Sequence, residues 1–184
     1  MRPRPPRRQQ TTARRKPLRA LFVISYPPTP DPLFEAVVRR FVTPADHSRV
    51  LVRAAGATDL IDAVDSDAPY YELSRIDVLG HASPGFLRLG TQTLFDARAG
   101  SFALDALAPR LTASTEVRFL GCAIAADAST ADGSWAYRPA SALRWLSRQL
   151  SGARVLAPTR DVFLSDFGPD GLLATSEHKL LASR

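Results

Sequence analysis

The chain has 184 residues, which suits one domain with a substantial core, and none of its apolar runs approaches the ~20 residues that span a bilayer. A single cysteine excludes an internal disulfide, and one cysteine with three scattered histidines argues against a zinc site. We therefore expect a cytoplasmic globular protein that holds no metal and no other cofactor.

The net charge of +6 is concentrated at the N-terminus. Residues 1–17, MRPRPPRRQQTTARRKP, contain six arginines and one lysine, and removing those seven from the 24 basic residues leaves 17 against 18 acidic ones. This composition predicts a disordered basic tail over 1–17, followed by a folded domain over 18–184. The tail is either a solubilising extension or an arm for an anionic partner such as nucleic acid or a membrane surface.

The same region also offers a twin-arginine export signal, in ARRKPLRALFVIS. Its apolar part, ALFVISY, is short and is stopped by PPTP, so it fits the first core strand better than an export signal.

From Leu18 onward, strand-like and helix-like segments alternate. This order predicts a three-layer α/β/α sandwich with a mostly parallel sheet of about five strands. The last segment, DVFLSDFGPDGLLATS, predicts a C-terminal hairpin that turns at GPDG. Strands are predicted over 19–25, 49–55, 75–81, 116–122 and 153–159, with a short extension at 86–90, and helices over 31–42 (with Asp31 as N-cap), 58–66, 101–112 and 139–152.

Two of the predicted strands end in chemically reactive residues. The strand over 75–81 ends in Gly80-His81, and the strand over 116–122 ends in Gly121-Cys122. In an open parallel sheet, ligands and chemistry collect beyond the carboxyl ends of the strands. If these two strands are neighbours, the imidazole can accept the thiol proton and thereby generate the nucleophilic thiolate. Periodicity alone does not establish that they are neighbours.

The segments IDVLGHASPGFLRLG and VRFLGCAIAAD, about forty residues apart, resemble the paired blocks of the caspase-like (clan CD) cysteine peptidases. The resemblance covers residues 19–160 and is closest in style to bacterial caspase-like domains. It implies a caspase-like sheet and an endopeptidase that acts on a polypeptide substrate. It assigns His81 as general base and acid, Cys122 as nucleophile, and the N–H groups of Ala82 and Cys122 as the oxyanion hole.

The resemblance also implies that a backbone carbonyl can orient the histidine, so that no third acidic residue is required. Asp127 and Asp132, in the loop after Cys122, are candidates for that role, and Asp166 is a candidate for favouring a basic substrate side chain. The other two histidines, His47 and His178, are expected at the surface.

Two features leave the functional alternatives open. Ala82 stands where the family usually has glycine, and the segment 123–139 is long and rich in small residues. In active caspase-like peptidases the equivalent loop helps to form the substrate pocket, but a surface insertion has the same composition. The alternative to a peptidase is a catalytically inactive caspase-like module that binds or scaffolds a partner.

Overall fold

The computed structural model of the chain describes residues 16–183. The basic tail predicted over 1–17 therefore lies almost entirely outside the described residues. The same is true of the paired arginines of the export motif and of the arm predicted to contact an anionic partner. Within the described residues, no helix has the length and apolar character needed to cross a membrane.

The described residues form fourteen strands and three α-helices, numbered here in chain order. The helices are α1 (Pro32–Arg40), α2 (Ala57–Asp67) and α3 (Pro139–Gln149). The strands are β1 (Leu18–Ser25), β2 (Arg49–Ala54), β3 (Glu72–Leu79), β4 (His81–Ser83), β5 (Phe86–Leu89), β6 (Gln92–Asp96), β7 (Ser101–Phe102), β8 (Glu116–Phe119), β9 (Ala128–Ser129), β10 (Ala136–Tyr137), β11 (Arg154–Pro158), β12 (Phe167–Gly168), β13 (Gly171–Leu172) and β14 (Leu180–Ala182).

A six-stranded sheet lies at the centre of the molecule, in the order β14-β11-β8-β3-β1-β2. Its strands pair in parallel, except that β14 runs antiparallel to β11 at one edge. The expected mixed α/β fold with a mostly parallel sheet is therefore confirmed. The sheet has six strands rather than about five because β14 adds to it, and the sequence analysis did not predict β14.

Helices cover both faces of the central sheet. On one face, α2 and α3 contribute buried leucine and valine side chains to the larger core. On the other face, Phe34 and Val37 of α1 belong to a smaller core with strand residues such as Phe22 and Leu79. Helix α1 begins at Pro32 because Asp31 caps it, accepting hydrogen bonds from two backbone N–H groups of its first turn.

The prediction of a helix over 101–112 is wrong. Residues Ser101–Phe102 form β7, and only Asp105–Arg110 are helical, as a short 3₁₀ helix that contains Pro109. Proline has no N–H to donate and clashes with the preceding turn, which prevents a longer α-helix. The connection from β3 to β8 consequently consists of a four-stranded antiparallel sheet, β4-β5-β6-β7, and this 3₁₀ helix.

Three other expectations can be compared with the structure. The strand predicted over 75–81 divides at Gly80 into β3 and β4. The segment 123–139 contains the small hairpin β9–β10. The C-terminal hairpin is confirmed, because β12 and β13 pair across the turn of GPDG.

Candidate active site

The strands that precede the histidine and the cysteine are neighbours in the central sheet. Strands β3 and β8 pair in parallel, with Val78 opposite Phe119. The N–H of Leu120 then donates to the carbonyl oxygen of Val78, at 2.7 Å. His81 lies three residues after Val78, and Cys122 lies three residues after Phe119. Both residues therefore follow neighbouring strands at the carboxyl edge of the sheet, each three residues beyond a paired position.

The two side chains also lie on the same face of the sheet. Leu79 and Leu120 both belong to the smaller core beneath α1. Both segments leave the sheet after these leucines, at Gly80 and Gly121, so the contacts of His81 and Cys122 show which face they lie on. The ring of His81 packs against Phe34 of α1, with 4.9 Å between ring centroids, and Cys122 packs against the same core.

The glycines before His81 and Cys122 allow the two segments to approach each other. A Cβ built on Gly121 would overlap the Cβ of Ala82 and lie 3.0 Å from the carbonyl oxygen of Gly80. A Cβ built on Gly80 would overlap the carbonyl oxygen of Arg88 in β5. Any larger residue at either position would push the backbone segments apart.

The hairpin formed by β4 and β5 determines which way the N–H of Ala82 points. Ser83 and Phe86 close its two-residue turn, and Ala82 faces Leu87 one step further along. Hydrogen-bonded and non-bonded pairs alternate in an antiparallel ladder, and the pair that closes such a turn is bonded. Ala82 therefore belongs to a non-bonded pair, which directs its N–H away from β5.

The position of β5 relative to the central sheet shows which side of β4 is left open. The N–H of Gly90, directly after β5, donates to the Ser25 hydroxyl at the end of β1, at 2.7 Å. Strands β1 and β8 flank β3 on opposite sides. An N–H directed away from β5 is therefore on the side of β4 that no strand of its sheet occupies.

The loop after β11 covers the thiol from one side. The half-buried Cys122 Sγ lies 4.0 Å from the carbonyl oxygen of Val162, to which it donates a long hydrogen bond. Ala123, next in the chain, has a left-handed backbone (φ 49°) and donates its N–H to the Arg160 carbonyl oxygen, at 3.1 Å. Among residues 16–183, no hydrogen bond joins the Cys122 thiol to His81. The thiol and the imidazole border the same small core without a hydrogen bond to each other.

An acidic residue that the sequence analysis did not link to the histidine lies against its ring. Asp31 Oδ2 is 3.3 Å from His81 Nε2, while Asp31 Oδ1 accepts the N–H groups of Leu33 and Phe34. The sequence placed Asp31 correctly at the start of α1 but gave it no role at the site. A signal was present: α1 directly follows β1, and β1 lies beside β3, so the first turn of α1 reaches the edge that carries His81.

No protein-family model, curated protein or solved structure matches the chain.

Asp127 and Asp132, the two acids suggested for orienting the histidine, are not paired with His81. Asp132 is exposed, and hydrogen bonds from Thr130 and Ser134 lower its pKa to about 2. Burial, together with the nearby Asp127 carboxylate, raises the pKa of Tyr137 to about 12. Asp31 is the carboxylate that contacts the imidazole.

The Asp166 carboxylate is hydrogen-bonded to other residues within the fold. Its carboxylate accepts hydrogen bonds from the Phe163 N–H, the Ser176 hydroxyl and the Lys179 ammonium, at 2.7–2.8 Å. Burial raises the pKa of Asp166, but the hydrogen bonds from these three groups outweigh burial and lower it overall. The carboxylate therefore fixes the loop after β11 and the C-terminal segment to each other, rather than facing a substrate side chain.

Two exposed aromatic side chains stand at the same edge of the sheet. Tyr26 follows β1 and Phe163 lies in the loop after β11, with 46% and 59% of their surfaces exposed. Exposed rings at the edge of a sheet are suited to packing against an extended peptide. Among the described residues, no group of three or more His, Cys, Asp or Glu side chains is arranged to hold a metal ion.

Proposed function

We propose that the chain is a caspase-like cysteine endopeptidase in which His81 and Cys122 form the catalytic dyad. The observation that carries the proposal is the pairing of β3 with β8, which end just before His81 and Cys122, together with the packing of both side chains against the core beneath α1. The Ala82 N–H, which the β4–β5 ladder leaves free, supports it, because a tetrahedral intermediate needs a free backbone donor.

The chemistry proceeds in two stages. His81 accepts the proton of the Cys122 thiol, and the thiolate attacks the carbonyl carbon of the substrate peptide bond, whose oxygen becomes negatively charged. The N–H groups of Ala82 and Cys122 donate to that oxygen. Collapse of the intermediate breaks the C–N bond, and His81 gives its proton to the leaving amine.

The second stage releases the remaining half of the substrate. A thioester now joins the acyl group to the Cys122 sulfur, and water replaces the amine beside His81. His81 takes a proton from the water as the water attacks the thioester carbonyl, and then returns the proton to the departing sulfur. The products are a free carboxylate, a free amine and the restored thiol.

A catalytically inactive caspase-like binding module is the second candidate function. It is favoured by the contact between the Cys122 thiol and the Val162 carbonyl, which leaves the thiol without a hydrogen bond to His81. In that case the thiol is a half-buried packing group, and the exposed rings of Tyr26 and Phe163 serve for binding alone.

Thiol labelling together with peptide cleavage separates the two functions. In the peptidase, His81→Ala slows the reaction of Cys122 with iodoacetamide at pH 7, and Cys122→Ala abolishes cleavage of a proteome-derived peptide library. His178→Ala is the control, because His178 is exposed and bonded to the Thr175 carbonyl. A labelling rate that His81→Ala leaves unchanged, with no Cys122-dependent cleavage, establishes the binding module instead.

A further inference from the structure

The first turn of α1 holds the imidazole of His81 from two directions. The Asp31 carboxylate meets Nε2 at 3.3 Å, and the Phe34 ring packs against the imidazole face at an interplanar angle of 51°. The side chain of His81 is 44% exposed, so without these contacts it would be free to change rotamer. The ring orientation is therefore set by α1 and not by β4 alone.

Asp31 is itself fixed by the helix that it caps. Its Oδ1 accepts from Leu33 N at 2.8 Å and from Phe34 N at 3.2 Å, and its backbone carbonyl accepts from Glu35 N at 3.0 Å. Its side chain is 21% exposed. Because one carboxylate oxygen is held by the helix, the other is held in a single position toward His81.

This contact determines which ring nitrogen carries a proton. An ionised carboxylate can only accept hydrogen bonds, so His81 Nε2 must be the donor. Neutral histidine has one N–H, so Nδ1 is left with a lone pair. Nδ1 is thus the atom free to accept a proton from the Cys122 thiol.

We propose that Asp31 is a positioning residue of the dyad, which orients His81 through Nε2 and stabilises the imidazolium after it has taken the thiol proton. The inference rests on the proposed peptidase function. In the transfer, the proton moves from Cys122 Sγ to His81 Nδ1, and Asp31 gains no proton. Asp31 thereby combines two tasks, capping α1 and fixing the tautomer and orientation of the base.

Two substitutions separate these tasks. Asp31→Ser keeps a good N-cap, because serine caps helices about as well as aspartate, but it is too short to reach His81 and has no charge. Asp31→Asn keeps the cap and the length, but it replaces the oxygen that faces Nε2 with an NH2 donor, so that Nε2 must accept and Nδ1 carries the proton. Asp46→Ser is the matched control, because Asp46 also accepts a backbone N–H, from Ser48 at 2.9 Å, in a loop at the opposite end of the sheet.

Three readouts on the full chain test the proposal. For Asp31→Ser we expect kcat to fall at least about tenfold with KM nearly unchanged, a parallel loss in the rate of iodoacetamide labelling of Cys122 at pH 7, and a melting temperature close to that of wild type. Asp31→Asn should lose at least as much kcat and labelling as Asp31→Ser, because it holds His81 in the tautomer whose Nδ1 cannot accept the thiol proton. Asp46→Ser should match wild type in all three.

The outcomes distinguish this inference from the function on which it rests. If His81→Ala slows labelling but both Asp31 variants label and cleave like wild type, Asp31 has no positioning role and the dyad stands. A third outcome is that Asp31→Ser lowers the melting temperature, Asp31→Asn does not, and the kcat of Asp31→Ser recovers on cooling. Asp31 then acts only as the cap of α1. If His81→Ala itself leaves labelling unchanged and no cleavage occurs, the dyad is wrong and this inference falls with it.

Discussion

Gly121, the residue before the cysteine, lies directly against Ala82, the residue after the histidine, and a Cβ on Gly121 would overlap the Ala82 Cβ. The same Cβ would lie 3.1 Å from Ile124 Cδ1, so the space is closed on a second side. This contact joins the end of β8 to the start of β4. The separation of His81 and Cys122 therefore depends on the absence of a side chain at residue 121.

We expect Gly121→Ala to push these two segments apart. Inserting a methyl group into closed space costs about 1–3 kcal/mol, so the free energy of unfolding should fall by that amount in urea titrations. Labelling of Cys122 by iodoacetamide should lose its dependence on His81, because the two side chains separate.

The double variant Gly121→Ala/Ala82→Gly supplies the control for the contact. It moves the methyl group from residue 82 to residue 121 and restores the space. The double variant should recover most of the lost stability and the dependence of labelling on His81. Equal destabilisation in the single and double variants would show that the Ala82 contact is not the cause.

The N–H of Ala82 can be tested without removing a side chain from the cleft. Ala82→Pro removes this donor, keeps the Cβ and adds two ring carbons, and proline is tolerated in an edge strand where the N–H makes no ladder bond. Loss of one oxyanion donor lowers kcat by about 10²–10³-fold. We expect that loss for Ala82→Pro in peptide cleavage, while the circular dichroism spectrum stays that of wild type.

Ala82→Gly is the comparison variant. It keeps the N–H that Ala82→Pro removes, and it lacks the Cβ that Ala82→Pro retains. It should retain the wild-type kcat within a few-fold. A kcat for Ala82→Pro equal to that of Ala82→Gly would mean that the N–H of Ala82 does not face the reacting carbonyl.

The sequence was sufficient to place His81 and Cys122 at strand ends, because local periodicity reports where each strand stops. It could not establish that β3 and β8 are adjacent, because the pairing of distant strands depends on contacts between residues far apart in the chain. Asp31 shows the same limit. Its role as an N-cap is local and was predicted, whereas its contact with His81 spans 50 residues and was not.

The connection between β3 and β8 departs from the expected pattern for a different reason. The segment SFALDALAPRLT has helical spacing, but its first two residues form β7 and its middle forms a 3₁₀ helix that contains Pro109. Ser101–Phe102 is extended because it pairs with β6, and this pairing outweighs the helical periodicity of the segment. The strand β14 was missed because three residues, Leu180–Ala182, are too few to show an alternating pattern.

The buried carboxylate of Asp77 predicts that the stability of the protein depends on pH. Burial raises the pKa of Asp77 to about 6, although Arg75 and Arg118 beside it oppose the increase. In the unfolded chain the pKa is about 4. Between about pH 4 and about pH 6 the folded protein therefore holds more protons than the unfolded one, and its stability falls as the pH rises through this window.

Asp77→Asn removes this dependence. The shift corresponds to about 3 kcal/mol, so the variant should gain up to that much stability over wild type by pH 7 and nothing below pH 4. Urea unfolding at a series of pH values from 4 to 8 measures the difference. Asp65→Asn is the control, because Asp65 forms an exposed pair with Arg110 and should change stability by less than about 1 kcal/mol. A difference between Asp77→Asn and wild type that is constant with pH would contradict the assignment.

The pair between Asp166 and Lys179 holds the loop that contacts the thiol. Both side chains are largely buried, at 8% and 16% exposure, and Asp166 also fixes the N–H of Phe163, next to Val162. Lys179→Met leaves a buried carboxylate without its cation, which costs about 3–5 kcal/mol. We expect that loss in urea unfolding, together with faster labelling of Cys122, because the Val162 carbonyl no longer stays over the thiol. The double variant Asp166→Asn/Lys179→Met buries no charge and should be more stable than Lys179→Met alone. Labelling that stays at the wild-type rate in Lys179→Met would show that the loop holds its place over Cys122 without this ion pair.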